Sequence, residues 1–266
     1  MNLTKSALAA LALVSTGAFA QTAPAADYTL AYNVGVVSDY RFRGIEQTAG
    51  QGSIQGGIDY AHKSGFYAGA FFANNIKWIK DVNGASKGDY EIDLYGGYKT
   101  DIGSGLTLDV GAITYQYPGN DSGAVGTLGA GGYSKADTTE GFVGLSYSVA
   151  TLKYYQSFGD FLGNKNSNGS RYIDLSATFD LGNGMTLTPH IGRQTVPNQS
   201  FGTLVGNAAD YTDYSLALAK DMGNGLVVSA TAIATNADHG FYAPTYGNTN
   251  RLLGKSTLVV GLKYNF

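Results

Sequence analysis

The sequence predicts an all-β chain closed into a single antiparallel transmembrane barrel of about twelve strands. Three observations carry this. Apolar and polar residues alternate with period two along most of the chain, one Gly-centred turn recurs three times, and short turns interchange with long polar loops. Successive strand side chains point to opposite faces, so such alternation marks a sheet with one apolar and one polar side.

Taken in order, residues 1–20 precede the barrel. Lys5 gives a basic start, residues 7–14 are apolar, and Ala18-Phe19-Ala20 is a small-x-small cleavage pattern. The stretch reads as a secretory signal peptide that is removed. Its apolar run is shorter than the roughly 20 residues a spanning helix needs. Residues 21–266 are then one barrel domain. Residues 28–43 form the first strand, with Leu30, Tyr32, Val34, Val36, Tyr40 and Phe42 opposite Asn33, Asp39, Arg41 and Arg43. Residues 54–60 and 66–73 follow, joined by the turn Lys63-Ser64-Gly65. Residues 90–99 set Tyr90, Ile92, Leu94 and Tyr98 against Glu91, Asp93 and Lys99. Residues 106–115, 140–147 and 152–158 alternate more weakly. Residues 170–180 set Ile173, Leu175 and Phe179 against Asp174, Ser176 and Thr178. Residues 185–194, 213–220, 226–235 and 255–266 complete the set, the last ending on Leu262, Tyr264 and Phe266.

The recurring turn is Asp101-Ile102-Gly103-Ser104-Gly105, Asp180-Leu181-Gly182-Asn183-Gly184 and Asp221-Met222-Gly223-Asn224-Gly225. Gly supplies the positive φ of tight hairpins, and Asn-Gly is a strong hairpin signal. The intervening loops, roughly 44–52, 74–88, 118–138, 159–169, 195–210 and 236–254, are long and polar. Short periplasmic turns and longer extracellular loops are the pattern of outer-membrane barrels. Backbone groups in lipid must be satisfied internally, so strands span a membrane only as a closed barrel. A soluble exported sandwich or lectin-like barrel is the alternative, with the apolar face turned inward. Twenty tyrosines, available for interfacial girdles, favour the membrane. So does Phe266, in phase with the apolar face, which resembles the terminal signal read by the outer-membrane barrel assembly machinery.

Residues 38–48, Ser-Asp-Tyr-Arg-Phe-Arg-Gly-Ile-Glu-Gln-Thr, resemble the signature near the first strand of the TorF-like outer-membrane porin family. Residues 55–60 and 64–69 are similar to that family's second hairpin, and residues 93–98 to its fourth strand. Glu46 stands where the family carries Ser or Thr. The resemblance implies a bacterial outer-membrane channel and brings no catalytic or ligand residues with it.

Composition removes other functions. Cys is absent, so thiolate metal sites and cysteine nucleophiles are excluded. A net charge of -3 with thinly spread basic residues argues against nucleic acid. No metal-ligand spacing or phosphate-binding Gly loop stands out, so neither metal nor cofactor is expected. His62, His190 and His239 fall at different heights and cannot form one constellation together, and nothing in the sequence shows a Ser–His–acid triad, so no enzyme activity is expected; a barrel enzyme would need a Ser or Asp within hydrogen-bond reach of His190 or His239. The candidate functional residues are therefore pore-lining ones: Asp39, Arg41, Arg43, Asp59, Glu91, Asp93, Asp109, Asp174 and Asp213. Arg41 and Arg43 form either a basic ladder steering anions or a salt-bridge network stiffening the wall. With Glu140, Lys99, Lys153 and Lys263 included, acids outnumber bases eight to five, which implies a weak cation preference. The 118–138 loop is expected to be extracellular, and Trp78 to anchor at the interface or pack the loop base. The expected function is passive diffusion of small hydrophilic solutes. The alternative is a non-conducting barrel, its lumen filled by paired charges and Tyr, whose loops bind a surface partner.

Overall fold

The recurring turn sets the strand registers. Asp101, Asp180 and Asp221 each accept a hydrogen bond from a backbone N–H two residues on, that of Gly103 (2.6 Å), Gly182 (2.8 Å) and Gly223 (2.8 Å). The next residues, Ser104, Asn183 and Asn224, lie at φ between 51° and 56°, followed by a Gly that is also left-handed. Two consecutive left-handed residues make the mirror-type turn that matches strand twist. The register shifts at each site between the Asp and the Gly, as a bulge does.

The computed structural model describes residues 26–246 and 251–266; the signal-peptide segment lies outside them. Its elements are β1 (Tyr28–Val37), β2 (Arg41–Phe42), β3 (Ile45–Glu46), β4 (Ser53–His62), β5 (Phe66–Asn74), α1 (Trp78–Asp81), β6 (Tyr90–Gly103), β7 (Leu106–Gln116), β8 (Thr138–Tyr147), β9 (Ala150–Ser157), β10 (Arg171–Ala177), β11 (Phe179–Gly182), β12 (Met185–Thr195), β13 (Tyr211–Gly223), β14 (Leu226–Thr235) and β15 (Thr257–Asn265). Each wall strand pairs antiparallel with its neighbours. β1 joins β4 to β15, and β10 pairs with β12 to close the ring. β10 and β11 are one stave broken at Thr178. Pro189 of β12 faces that break and has no N–H to give the ladder. The wall therefore has twelve staves.

The outer surface is the apolar one. Leu30, Val34, Leu94, Val143, Leu175, Leu216 and Leu262 are exposed on it, while Asp93, Asp109, Glu140, Asp174 and Asp213 are buried inside. Exposed Tyr28, Tyr60, Phe66, Tyr98, Tyr147 and Tyr264 ring the short-turn end, and Phe72, Tyr90, Phe158 and Tyr214 mark the loop end. A closed barrel with an apolar belt between two aromatic girdles is built for a bilayer.

One expected strand is corrected. Residues 28–43 are not a single stave, because β1 ends at Val37 and the chain turns into the lumen. Residues 41–46 then form the small hairpin β2–β3, with Arg43 and Gly44 at its tip, both left-handed. Tyr40 and Phe42 are thus not on the lipid face. Tyr40 is buried, and its hydroxyl donates to Glu91 of β6 at 2.6 Å. Period-two alternation is the same for a wall strand and a lumen hairpin, so the pattern ran through the boundary. The first long loop accordingly spans residues 38–52. The 74–88 loop carries the single turn of helix α1.

Candidate functional site in the barrel lumen

The hairpin crosses the mouth of the barrel. At its tip, a Cβ placed on Gly44 would lie 2.6 Å from Thr235 Cγ2 and 2.8 Å from Asp213 Cβ, so only Gly fits against the far wall. The neighbouring Arg43 guanidinium reaches Glu140 of β8 at 2.5 Å and Gln194 of β12 at 2.8 Å. Tyr115 of β7 also donates to Glu140, at 3.0 Å. Four rings surround the guanidinium: Tyr172 at 4.2 Å, Phe42 at 4.8 Å, Tyr155 at 5.1 Å and Phe161 at 5.5 Å. Burial opposes its charge, but Glu140 more than compensates and raises the Arg43 pKa above its ordinary value.

The base of the hairpin is held from the other side. Arg41 donates to Asp39 at 2.7 Å and to the carbonyls of Leu253 and Lys255 at 2.9 and 3.1 Å. Glu46 pairs with Arg251. Burial, then Asp39, raises the Glu46 carboxyl above its ordinary value against the opposing pull of Arg251 and Arg41. Apolar packing also holds the hairpin and loops in place. Tyr40, Ile76, Trp78, Ile79, Tyr115 and Tyr117 form one buried cluster, Ile45 with Tyr211 and Leu253 a second, and Phe161 with Val196 a third. Trp78 packs edge-on against Tyr117 at the loop base. In the 118–138 loop, Asn120 and Ala136 are buried, whereas Val125 and Leu128 project outward.

Glu91 and Asp93 lie beneath Tyr40 on the inward face of β6, both fully buried. Glu91 Oε2 and Asp93 Oδ1 have no hydrogen-bond partner, and neither residue has a cationic partner among the described residues. Burial, then Glu91 and Asp93, holds the Tyr40 and Tyr117 hydroxyls well above their ordinary value, so they are donors and not charges. Toward the short-turn end, Asp109 accepts from Tyr67 at 2.6 Å and pairs with Lys153 at 3.0 Å, and Asp59 accepts from Tyr95. Asp174 and Asp213 flank His190, at 2.9 Å from Nε2 and 3.5 Å from Nδ1.

Asp39, Arg41 and Arg43 therefore belong to the lumen hairpin and not to the polar face of the first stave, which corrects their placement. Asp59, Glu91, Asp93, Asp109, Asp174 and Asp213 are on inward faces of wall strands. An acid does come within reach of His190, but both its ring nitrogens face carboxylates. Ser176, opposite it in the β10–β12 register, makes no hydrogen bond. No serine hydroxyl bonds His190 among the described residues, so no triad is assembled there. Tyr115, Tyr155, Tyr172 and Gln194, which enclose Arg43, were not among the candidate residues. Tyr172 and Gln194 are in phase with Asp174 and His190, and that phase was the available signal.

Residues 21–266 match the family model Gcw_chp, described as a bacterial protein of unknown function. The chain belongs to this family. No curated protein matches the sequence. Among solved structures, the KdgM porin aligns with TM-score 0.52 and 7% identity over 89% of this chain and 98% of its own. The same porin in complex with disordered oligogalacturonate aligns equally. The NanC porin aligns with TM-score 0.52 and 11% identity over 90% and 99%. At such identity the likeness is one of fold.

Proposed function

We propose that this Gcw_chp protein is a porin of the bacterial outer membrane that passes small hydrophilic solutes by diffusion. The supporting observation is a lipid-fitted barrel whose charged interior is narrowed by the 38–52 hairpin. Twelve staves enclose a narrower lumen than the 16–18 of general porins, and the hairpin reduces it further. The nine residues Asp39, Arg41, Arg43, Asp59, Glu91, Asp93, Asp109, Asp174 and Asp213 line the route or its constriction. Counted over the lumen side chains, acids outnumber bases eight to five, and this supports a weak preference for cations and uncharged solutes. The KdgM porin was solved with oligogalacturonate, a polyanion; an acid-rich lumen opposes such a ligand here.

The packed mouth supports a second reading, in which the barrel does not conduct and its loops bind a surface partner. Planar-bilayer currents of the protein under a salt gradient separate the two. Discrete steps with a cation-selective reversal potential are expected. Silence from protein shown to be inserted moves the reading to the closed barrel, and an anion-selective potential ends the charge argument.

A further inference from the structure

The outside wall carries a cleft where β1, β4, β5 and β6 meet the loops. Its volume is about 540 Å³, within the size range of small-molecule sites. Its floor is Val36, Ile54 and Tyr90, each about half exposed at 48%, 51% and 52%. Val36 and Ile54 are register partners on the lipid face, so the floor is continuous with the apolar belt. The upper lining is polar: Asn74, Asn75, Lys77 and Asp89. Asn75 is held by Gln51 and the Gly52 carbonyl, and Asp89 pairs with Lys80. That pair cancels, leaving the Lys77 ammonium with no ion pair within 4 Å among the described residues; Asp81 is the acid that senses it. A smaller cleft of about 350 Å³ on the other side of β1 differs: Leu258 is its one large apolar side chain, and Asp39 and Glu46 already pair with its Arg41 and Arg251.

An apolar floor open to acyl chains, below amides and a lysine, is the composition of the boundary between lipid tails and headgroups. A water-borne solute would leave the floor in contact with lipid and gain nothing from it. We propose that the larger cleft binds the phosphorylated sugar headgroup of a membrane glycolipid. Lys77 takes the phosphate, Asn75 and Asp89 take sugar hydroxyls, and the chains lie on Val36 and Ile54. The proposal rests on the barrel being inserted in a membrane and is independent of whether it conducts.

The test is native mass spectrometry and thermal melting of the protein, residues 21–266, in mild detergent. The added probes are a bis-phosphorylated glucosamine-disaccharide lipid, its dephosphorylated counterpart, and inorganic phosphate. The phosphorylated lipid should be retained as an adduct and raise Tm, and the other two should do neither. Lys77→Gln should cut retention about fivefold, the effect of losing one cationic contact near a membrane surface. The melting of the lipid-free variant should be unchanged. Equal retention of the dephosphorylated lipid, an equal Tm rise with inorganic phosphate, or unchanged retention by Lys77→Gln overturns the site. Protease protection after vesicle insertion is scored in parallel. Inserted protein without an adduct overturns this proposal alone, and protein that never inserts overturns the membrane reading beneath it.

Discussion

Arg43 is the residue on which the mouth is organised. Its partner Glu140 is wholly buried, and the pair shares Gln194 and Tyr115. Removing one member of a buried, hydrogen-bonded pair leaves the other uncompensated, which costs about 3–5 kcal/mol. Arg43→Ala should destabilise the barrel by that order in urea titrations in lipid vesicles. Arg43→Met with Glu140→Gln should be much milder, because no charge is stranded. Equal losses for the single and double variants would show that the pair does not act as a unit. The acids facing the lumen were legible from phase alone, as with Asp93, Asp109 and Asp213. The partners of Arg43 were not, because Glu140 and Gln194 lie 97 and 151 positions away. Only ring closure brings such distant staves to one point.

Among the elements, the turns were the most readable. Asp-x-Gly-Asn-Gly determines its own geometry through a local carboxylate bond and three consecutive left-handed residues, with no help from the rest of the fold. Substitutions there separate backbone strain from steric fit. Gly182 is left-handed with open space around its Cβ position, and Gly182→Ala should cost about 1–2 kcal/mol. Gly225 is also left-handed, but a Cβ there would sit 2.2 Å from the carbonyl oxygen of Asn265 in β15. Gly225→Ala should be clearly worse in refolding yield on heat-modifiability gels; parity between the two would mean that the turn does not seat against β15. The lumen hairpin was the least readable element. Residues 38–43 keep the alternation of β1. Its departure inward depends on distant partners, such as Leu253 for Arg41 and Glu91 for Tyr40.

At the scale of the whole molecule, inside and outside are reversed relative to a soluble barrel. Leu216 stands on the outer face near mid-strand. Leu216→Lys should destabilise the inserted barrel by about 2–4 kcal/mol, the penalty for a cation at the bilayer midplane. A negligible effect would place that face in water. Labelling gives a second check. Asn33→Cys, on the inward face of β1, should react with water-soluble thiol reagents, and Val34→Cys should not. The opposite pattern would invert the barrel. The twelve-stave ring was legible because each hairpin is local and closure only repeats the same pairing. The narrowed mouth was not, because it is made by several loops packing on one another.

The measurement that bears most directly on the constricted channel is the single-channel conductance of a variant with residues 39–47 replaced by a short Gly-rich link. It is compared with the native chain after both pass a heat-modifiability check. The hairpin spans from β1 to Asp213 and Glu140. Its removal should therefore raise conductance severalfold while keeping the cation-selective reversal potential. Equal conductance in the two proteins would contradict the hairpin as the constriction and place the narrow point elsewhere in the lumen.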